Sequence, residues 1–333
     1  MTAALKLALT GRHAANAKPK AAREANAMRH FIDLFDWDAE LISATLQDAA
    51  RMKKARQRGK DKPLKPRRVL GLIFEKPSLR TRVSFQTAMA HLGGASVFLS
   101  NSEVGLGQRE SLADVARTVG EFVDAVVLRT FRHDTVVQFA HYSTCPVING
   151  LSDYEHPCQA LGDLLTMREV LGDLRGKTLV FVGDGNNVAR SLAVGCGKLG
   201  MRFILSAPKG YGFDDYFLGC YCKQLPESEL TEEVDPAKAV QNADVIYTDV
   251  WASMGQENEA KKRRKDFAPY QVNSQLMKKA PAHAKFMHCL PAHRGEEVTD
   301  EVIDSAASVV FTQAGNRMHA QKALLKWVFA QRG

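Results

Sequence analysis

The chain has no CxxC pair, and its six cysteines (145, 158, 196, 220, 222 and 289) are scattered. This excludes a cysteine-built structural metal site and a disulfide scaffold. It implies reduced thiols in a cytosol-like, cytoplasmic compartment, with Cys145, Cys158 and Cys196 read as small core residues. No apolar run approaches the ~20 residues needed to span a bilayer, so no membrane association is expected. There is no zinc-finger spacing, no internal repeat and no basic stripe interleaved with aromatics. The formal net charge is +8, concentrated locally only over residues 51–68 and 261–265. That balance suits a small anionic ligand better than a nucleic acid. A dinucleotide turn is also missing. In GDGNNVARS the third glycine of GxGxxG is replaced by Val188, and the next strand runs into Pro208 without an acid. Nicotinamide dinucleotide binding, and with it an oxidoreductase, is a poor second reading.

What the chain does have is VLGLIFEKPSLRTRVSFQTAMAHLGG, residues 69–94. The apolar run over 69–74 predicts a buried strand of a parallel sheet. Pro77 and Ser78 stop it. Ser78 is a good N-cap, Val83, Phe85, Met89 and Leu92 recur near a 3.6 period, and Gly93-Gly94 ends the helix. Ser78, Leu79, Arg80, Thr81 and Arg82 therefore fall in the first helical turn at the carboxyl end of a strand, where open α/β sheets bind ligands. Free N–H groups and the positive dipole end already face out there. Two added guanidiniums call for a counter-anion, and a phosphate dianion fits.

Further strands are expected over residues 95–99, 124–129, 146–149, 178–182, 203–207, 244–248, 285–290 and 308–311. They alternate with helices opened by Asp38, near Ser111 and by Pro157, after the GDGNN turn, and over 316–329. The alternation predicts an α/β fold of two doubly wound parallel-sheet domains joined by inter-domain helices. Charged stretches at 51–68 and 257–267 read as solvated surface. Arg129 ends a strand, His156 precedes a helix containing Gln159, Asn186 and Asn187 sit at a helix start, and Asp249 and Cys289 lie at strand ends. Each has a plainer reading as a cap, a core residue or a surface partner.

Five stretches, FEKPSLRTR, HPCQAL, GDGNNVARS, DVWASMGQE and HCLPAHRGEEV, occur in an order that resembles the aspartate/ornithine carbamoyltransferase superfamily, and the ornithine branch in particular. The resemblance runs from about Met28 to the end. It implies transfer of the carbamoyl group of carbamoyl phosphate to the side-chain amine of L-ornithine, giving L-citrulline and phosphate, as in arginine biosynthesis, with no metal and no cofactor. By resemblance, carbamoyl phosphate meets Ser78, Leu79, Arg80, Thr81, Arg82, Arg129, His156, Gln159, Cys289, Leu290 and Arg317. Ornithine meets Asn187, Asp249, Ser253 and Met254. Arg129, His156, Asp249 and Cys289 are the expected catalytic group.

The same resemblance implies a carbamoyl-phosphate domain over residues 28–155 and an ornithine domain over 156–315. A helix over 316–331 packs back on the first domain, and the assembly is a homotrimer. The loop over residues 101–110 would reach a neighbouring subunit's site. There Gly105 stands where relatives usually carry Gln or His, with Gln108 as a substitute from a different place. Residues 1–27 read as a dispensable disordered extension or an early start. The alternatives are the same chemistry on putrescine, N-acetylornithine, N-succinylornithine or aspartate, and a non-catalytic phosphate-ligand-binding protein. Biosynthetic or catabolic direction stays open.

Overall fold

Short apolar strands covered by helices on both faces build two all-parallel sheets, as such strands require. The computed structural model describes residues 28–106, 109–252 and 257–330. The expected extension over 1–27, together with Gln108, Ser253 and Met254, lies outside the described residues. The strands are β1 (Val69–Phe74), β2 (Ala95–Ser100), β3 (Ala125–Arg129), β4 (Val147–Leu151), β5 (Thr178–Val182), β6 (Arg202–Ser206), β7 (Leu230–Glu232), β8 (Val245–Thr248) and β9 (Lys285–His288). The first sheet has the order β2-β1-β3-β4 and the second β7-β6-β5-β8-β9. In each sheet the chain reverses direction of travel beside one strand, β1 in the first and β5 in the second. Such a reversal opens a crevice at the carboxyl ends of β1/β3 and of β5/β8.

The two sheets share one apolar core. It includes Phe85 and Met89 on the first side, Leu161, Leu164, Leu165, Leu324, Leu325 and Val328 between, and Phe181, Leu192 and Tyr247 on the second. The middle group comes from two helices, Pro157–Leu171 and Val310–Phe329, which pack on each other. Each fully buried leucine contributes roughly 1.5–3 kcal/mol, so this pair anchors the strand ends that carry the polar residues.

Four local expectations change. Residues 308–311 do not form a strand: Ser308 makes an isolated bridge to Phe286, and helix begins at Val310 rather than at Asn316. The β-branched run Val309-Val310 favours a strand locally, but the helix buries Val310 and leaves Phe311 in solvent, and tertiary packing overrides propensity. The helix capped by Asp38 runs through the basic stretch to Gln57. That stretch is not simply solvated, since Lys53 pairs with Glu169 and Asp61 pairs with the buried Lys322, both at 2.7 Å. Val83 is exposed, and the inner face of its helix is Thr81, Phe85, Ala88 and Met89. Finally, residues 101–104 form a single helical turn, capped reciprocally by Ser100 and Glu103. Gly105 ends it in the left-handed region at φ 55°. That conformation explains the glycine, because any other residue there costs roughly 1–2 kcal/mol.

Candidate active site

The helix after β1, Leu79–His91, starts at Ser78, whose backbone is extended but whose hydroxyl makes no capping bond. The first-turn groups are therefore left for something outside the helix. Ser78, Leu79, Arg80 and Thr81 line a cleft of about 1490 Å³ that runs between the carboxyl edges of the two sheets. Arg82 does not line it. Its guanidinium lies 3.6 Å from the centroid of the Phe98 ring on β2. Residues two apart on a helix point ~200° from each other, so Arg80 and Arg82 cannot face one ligand.

Arg129 closes β3 opposite Phe74. A register shift on the β4 side leaves Gly150 between the pairs Leu128–Asn149 and Arg129–Leu151. A Cβ on Gly150 would come within 2.9 Å of Val127 and 3.5 Å of the Thr81 methyl. The glycine thus lets β4 and the first helical turn close around Arg129. Arg317, from the helix Val310–Phe329, enters from behind and donates to the Thr81 hydroxyl at 2.9 Å. It can come this near because Gly162 presents no side chain: a Cβ there would lie 3.1 Å from Arg317 Cα and Cγ. Gly162→Ala is expected to push the helix back at Arg317, lowering stability by about 1–3 kcal/mol and kcat/KM by about tenfold, the equivalent of ~1.4 kcal/mol. Thermal melting and steady-state kinetics on one preparation check this; unchanged values in both would show slack at the contact.

His156 is the N-cap position of Pro157–Leu171, with Pro157 at the first helical position. Its N–H donates to the Ser191 hydroxyl at 2.9 Å, and that hydroxyl donates in turn to the buried Glu155 carboxyl. Burial and the Arg317 and Arg129 charges hold the His156 imidazole well below its usual pKa, so it is neutral near pH 7. Burial, then Arg317 and Arg80, lower Arg129 to about 10. Guanidiniums thus crowd one wall of the cleft at an electrostatic cost that an anion would relieve.

The opposite wall comes from the second sheet. Asn186 caps Asn187–Lys198 through the Val188 and Ala189 N–H groups and donates to Asp249 Oδ2 at 3.0 Å. The Asn187 amide donates to the Ser152 carbonyl at 2.7 Å, tying this helix to the end of β4. Asp249, just past β8, accepts from the Cys289 thiol at 2.9 Å through Oδ1. Burial and Asp249 push the Cys289 thiol well above its usual pKa, so it is a protonated donor and not a thiolate. Leu290 is non-glycine at φ 56°, a conformation that persists only where surroundings fix it. Here its N–H donates to His288 Nδ1 at 2.9 Å, while His288 Nε2 meets Glu297 at 3.1 Å. Asp249, His288 and Cys289 bring ligating atoms within 4.8 Å of one another. Both imidazole nitrogens and the thiol are engaged in hydrogen bonds in this arrangement.

The cleft thus gathers Ser78, Leu79, Arg80, Thr81, Arg129, His156 and Gln159 with Asn187, Asp249, Cys289, Leu290 and Arg317, and it leaves out Arg82. Three features were not read from the sequence. Lys76 is buried, with its ammonium 4.5 Å from the Phe131 ring centroid. Arg263, within the stretch read as solvated surface, is buried against Asp184 at 2.7 Å and the Trp251 carbonyl at 3.0 Å. A hydrogen-bonded group around Asp163 lies under Gln159. Lys76 stands inside FEKPSLRTR and could have been noted as a third cation; the other two need the fold.

Two parallel sheets turning their carboxyl edges to one cleft define an α/β protein whose cleft suits an anionic ligand on one wall and a second polar ligand on the other. One wall is lined with guanidiniums, the other with a carboxylate and a thiol. The sequence matches aspartate/ornithine carbamoyltransferase in both parts: the carbamoyl-P binding domain over residues 29–169 and the Asp/Orn binding domain over residues 175–328. It is 49% identical over 299 residues to the ornithine carbamoyltransferase of Anoxybacillus flavithermus, covering 89% of this chain and 95% of that one. It is 51% identical over 304 residues to the anabolic ornithine carbamoyltransferase of Pyrococcus furiosus, covering 91% and 96%. The solved structure of ornithine carbamoyltransferase from Pyrococcus furiosus superposes with a TM-score of 0.87, covering 90% and 96% of the two chains at 50% identity. That from Thermus thermophilus gives 0.81, covering 91% and 99% at 40% identity. The chain belongs to the aspartate/ornithine carbamoyltransferase family.

Proposed function

We propose that this chain transfers the carbamoyl group of carbamoyl phosphate to the side-chain amine of L-ornithine, giving L-citrulline and phosphate, in the service of arginine biosynthesis. One observation carries the assignment to this cleft. His156 Nδ1, Gln159 Oε1 and Arg317 Nε are buried with no hydrogen-bond partner among the described residues. Orphaned buried polar atoms of this kind are costly unless a ligand meets them.

In this reading the phosphate takes the first-turn N–H groups, Ser78, Thr81 and Arg80, and the carbamoyl group takes Arg129, His156, Gln159 and Arg317. Ornithine binds across Asn187 and Asp249, with Ser253 and Met254 closing over it. Its δ-amine arrives beside Cys289 and Leu290. The amine lone pair attacks the carbonyl carbon, and the oxyanion is stabilised by Thr81, Arg129, His156 and Arg317. The C–O bond to phosphate then breaks, its electron pair leaves with the phosphate, and the attacking nitrogen gives up its extra proton to the departing phosphate or to water. Positioning and preorganised charge are sufficient for an activated acyl phosphate.

The nucleophile sets the pH dependence. An alkyl-ammonium has a pKa of roughly 10.4, so the free base is scarce at pH 7. The depressed pKa of His156 keeps that imidazole neutral above pH 7, so it adds no step there. Activity is therefore expected to rise from pH 7 toward pH 9. A flat profile with chemistry rate-limiting would contradict this.

Residues 28–155 are assigned to the carbamoyl-phosphate domain and 156–315 to the ornithine domain. Packing of the helix Val310–Phe329 on Ala39–Gln57 and Leu79–His91 supports its return to the first domain. A homotrimer follows from the family. Arg82 lies near Glu103, at the start of the 101–110 loop, and so suits a neighbouring subunit better than its own cleft. All six cysteines are free, which supports a reducing, cytoplasm-like setting. No helix among the described residues is long and apolar enough to cross a membrane. Parallel assays with ornithine, putrescine, N-acetylornithine, N-succinylornithine and aspartate test the acceptor. Carbamoylation of ornithine alone is expected, and preference for another amine would revise the second-substrate wall.

A further inference from the structure

We propose that Asp163 is a positioning residue that fixes which end of the Gln159 amide faces the cleft, so that the site selects an acyl phosphate carrying an N–H on its acyl group. The inference rests on the reading of the cleft given above and goes beyond it. Asp163 lies one turn after Gln159 on the helix Pro157–Leu171 and is wholly buried. Its Oδ1 accepts from Gln159 Nε2 at 2.8 Å and from Gln313 Nε2 at 2.7 Å. Its Oδ2 accepts from the Tyr247 hydroxyl at 3.0 Å. Burial raises the Asp163 pKa to about 7; above that pH the carboxylate can only accept, so both glutamines turn their NH2 groups toward it.

Gln313 confirms this orientation independently, because its Oε1 accepts from the His288 N–H at 3.0 Å. Turning that amide over would set donor against donor and acceptor against acceptor. Gln159 has no such second partner among the described residues. With its NH2 held by Asp163, its carbonyl oxygen is left buried and unpartnered on the cleft wall. A carbamoyl group supplies the missing donor. An acetyl group of the same size offers only a methyl and leaves the oxygen orphaned. A site built to hydrogen-bond a ligand group discriminates strongly against the analogue lacking it. The anchors of Asp163, namely Tyr247 on β8 and Gln313 in the helix Val310–Phe329, lie outside the first sheet. The second sheet and the last helix therefore help set how the carbamoyl group is recognised.

Asp163 also lies close enough to Arg317 to act as its counter-charge, and the test must separate the two roles. In the full chain at pH 8.5, dissociation constants are measured for carbamoyl phosphate, acetyl phosphate and inorganic phosphate. Wild type is expected to favour carbamoyl over acetyl phosphate. Asp163→Leu fills the space but removes the acceptor. It is expected to weaken carbamoyl phosphate roughly tenfold or more, while acetyl phosphate and phosphate change less than about threefold. Asp163→Ala gives the same readout should the leucine variant not fold. Asp163→Asn keeps an acceptor at Oδ1 for both glutamine NH2 groups; the Tyr247 hydroxyl, which already accepts from Gln313 Nε2 at 3.1 Å, turns its O–H away to receive the new NH2, so the variant should lose some stability and retain the preference. Loss of the preference in Asp163→Asn would overturn the proposal in favour of a charge role. Equal weakening of all three ligands in the leucine or alanine variant would overturn it as mere collapse of the site. Equal affinity of wild type for both acyl phosphates would remove the underlying reading of the cleft before Asp163 is touched.

Discussion

Arg80→Ala lowers kcat/KM by about two orders of magnitude or more, corresponding to ~3 kcal/mol of lost transition-state stabilisation. Arg80 lies in the first turn of Leu79–His91 and lines the cleft that Arg129 and Arg317 also line. In the transition state the phosphate gains charge as the C–O bond breaks, so a guanidinium there counts for more than in the ground state. The alanine variant should fold, since Arg80 is neither in the core nor on the inner face of its helix. Arg82→Ala provides the contrast. Its side chain stacks on Phe98 outside the cleft, so the effect should stay below that of Arg80→Ala. Near-normal efficiency of Arg80→Ala would refute its role.

Asp249→Asn raises the ornithine KM by roughly a hundredfold and leaves carbamoyl phosphate affinity within a few-fold, a loss of about 2–3 kcal/mol confined to the second substrate. Asp249 is buried at the end of β8, its two oxygens engaged by the Cys289 thiol and the Asn186 amide. Both partners donate, so an asparagine must set its own NH2 against one of them, and it also loses the negative charge that meets the substrate α-ammonium. Separate titration of the two substrates reads this out. Equal loss for both would show that Asp249 supports the cleft as a whole.

The sequence carried the strand ends well because their signals are local. The apolar run before Pro77, the helix start after Ser78, the proline after His156 and the asparagines after GDG each fix a short segment without help from the rest of the chain. What it could not carry was which side chains meet. Arg80 and Arg82 look equivalent in SLRTR, and only helical geometry separates them. Arg263 sits in a run whose composition says solvent, yet Asp184 neutralises it in the interior. Asp163 reads as one polar residue in an apolar helix until Gln313 and Tyr247 arrive around it from distant segments. The false strand at 308–311 has the same origin: β-branched residues at the start of a helix whose packing outweighs their preference.

The most direct measurement is product stoichiometry. The chain is given carbamoyl phosphate with and without ornithine, and citrulline and phosphate are counted together. The expected result is one citrulline for each phosphate above the spontaneous background, with release dependent on ornithine. Phosphate without citrulline, or neither product from folded protein that still binds carbamoyl phosphate, would contradict carbamoyl transfer in this cleft.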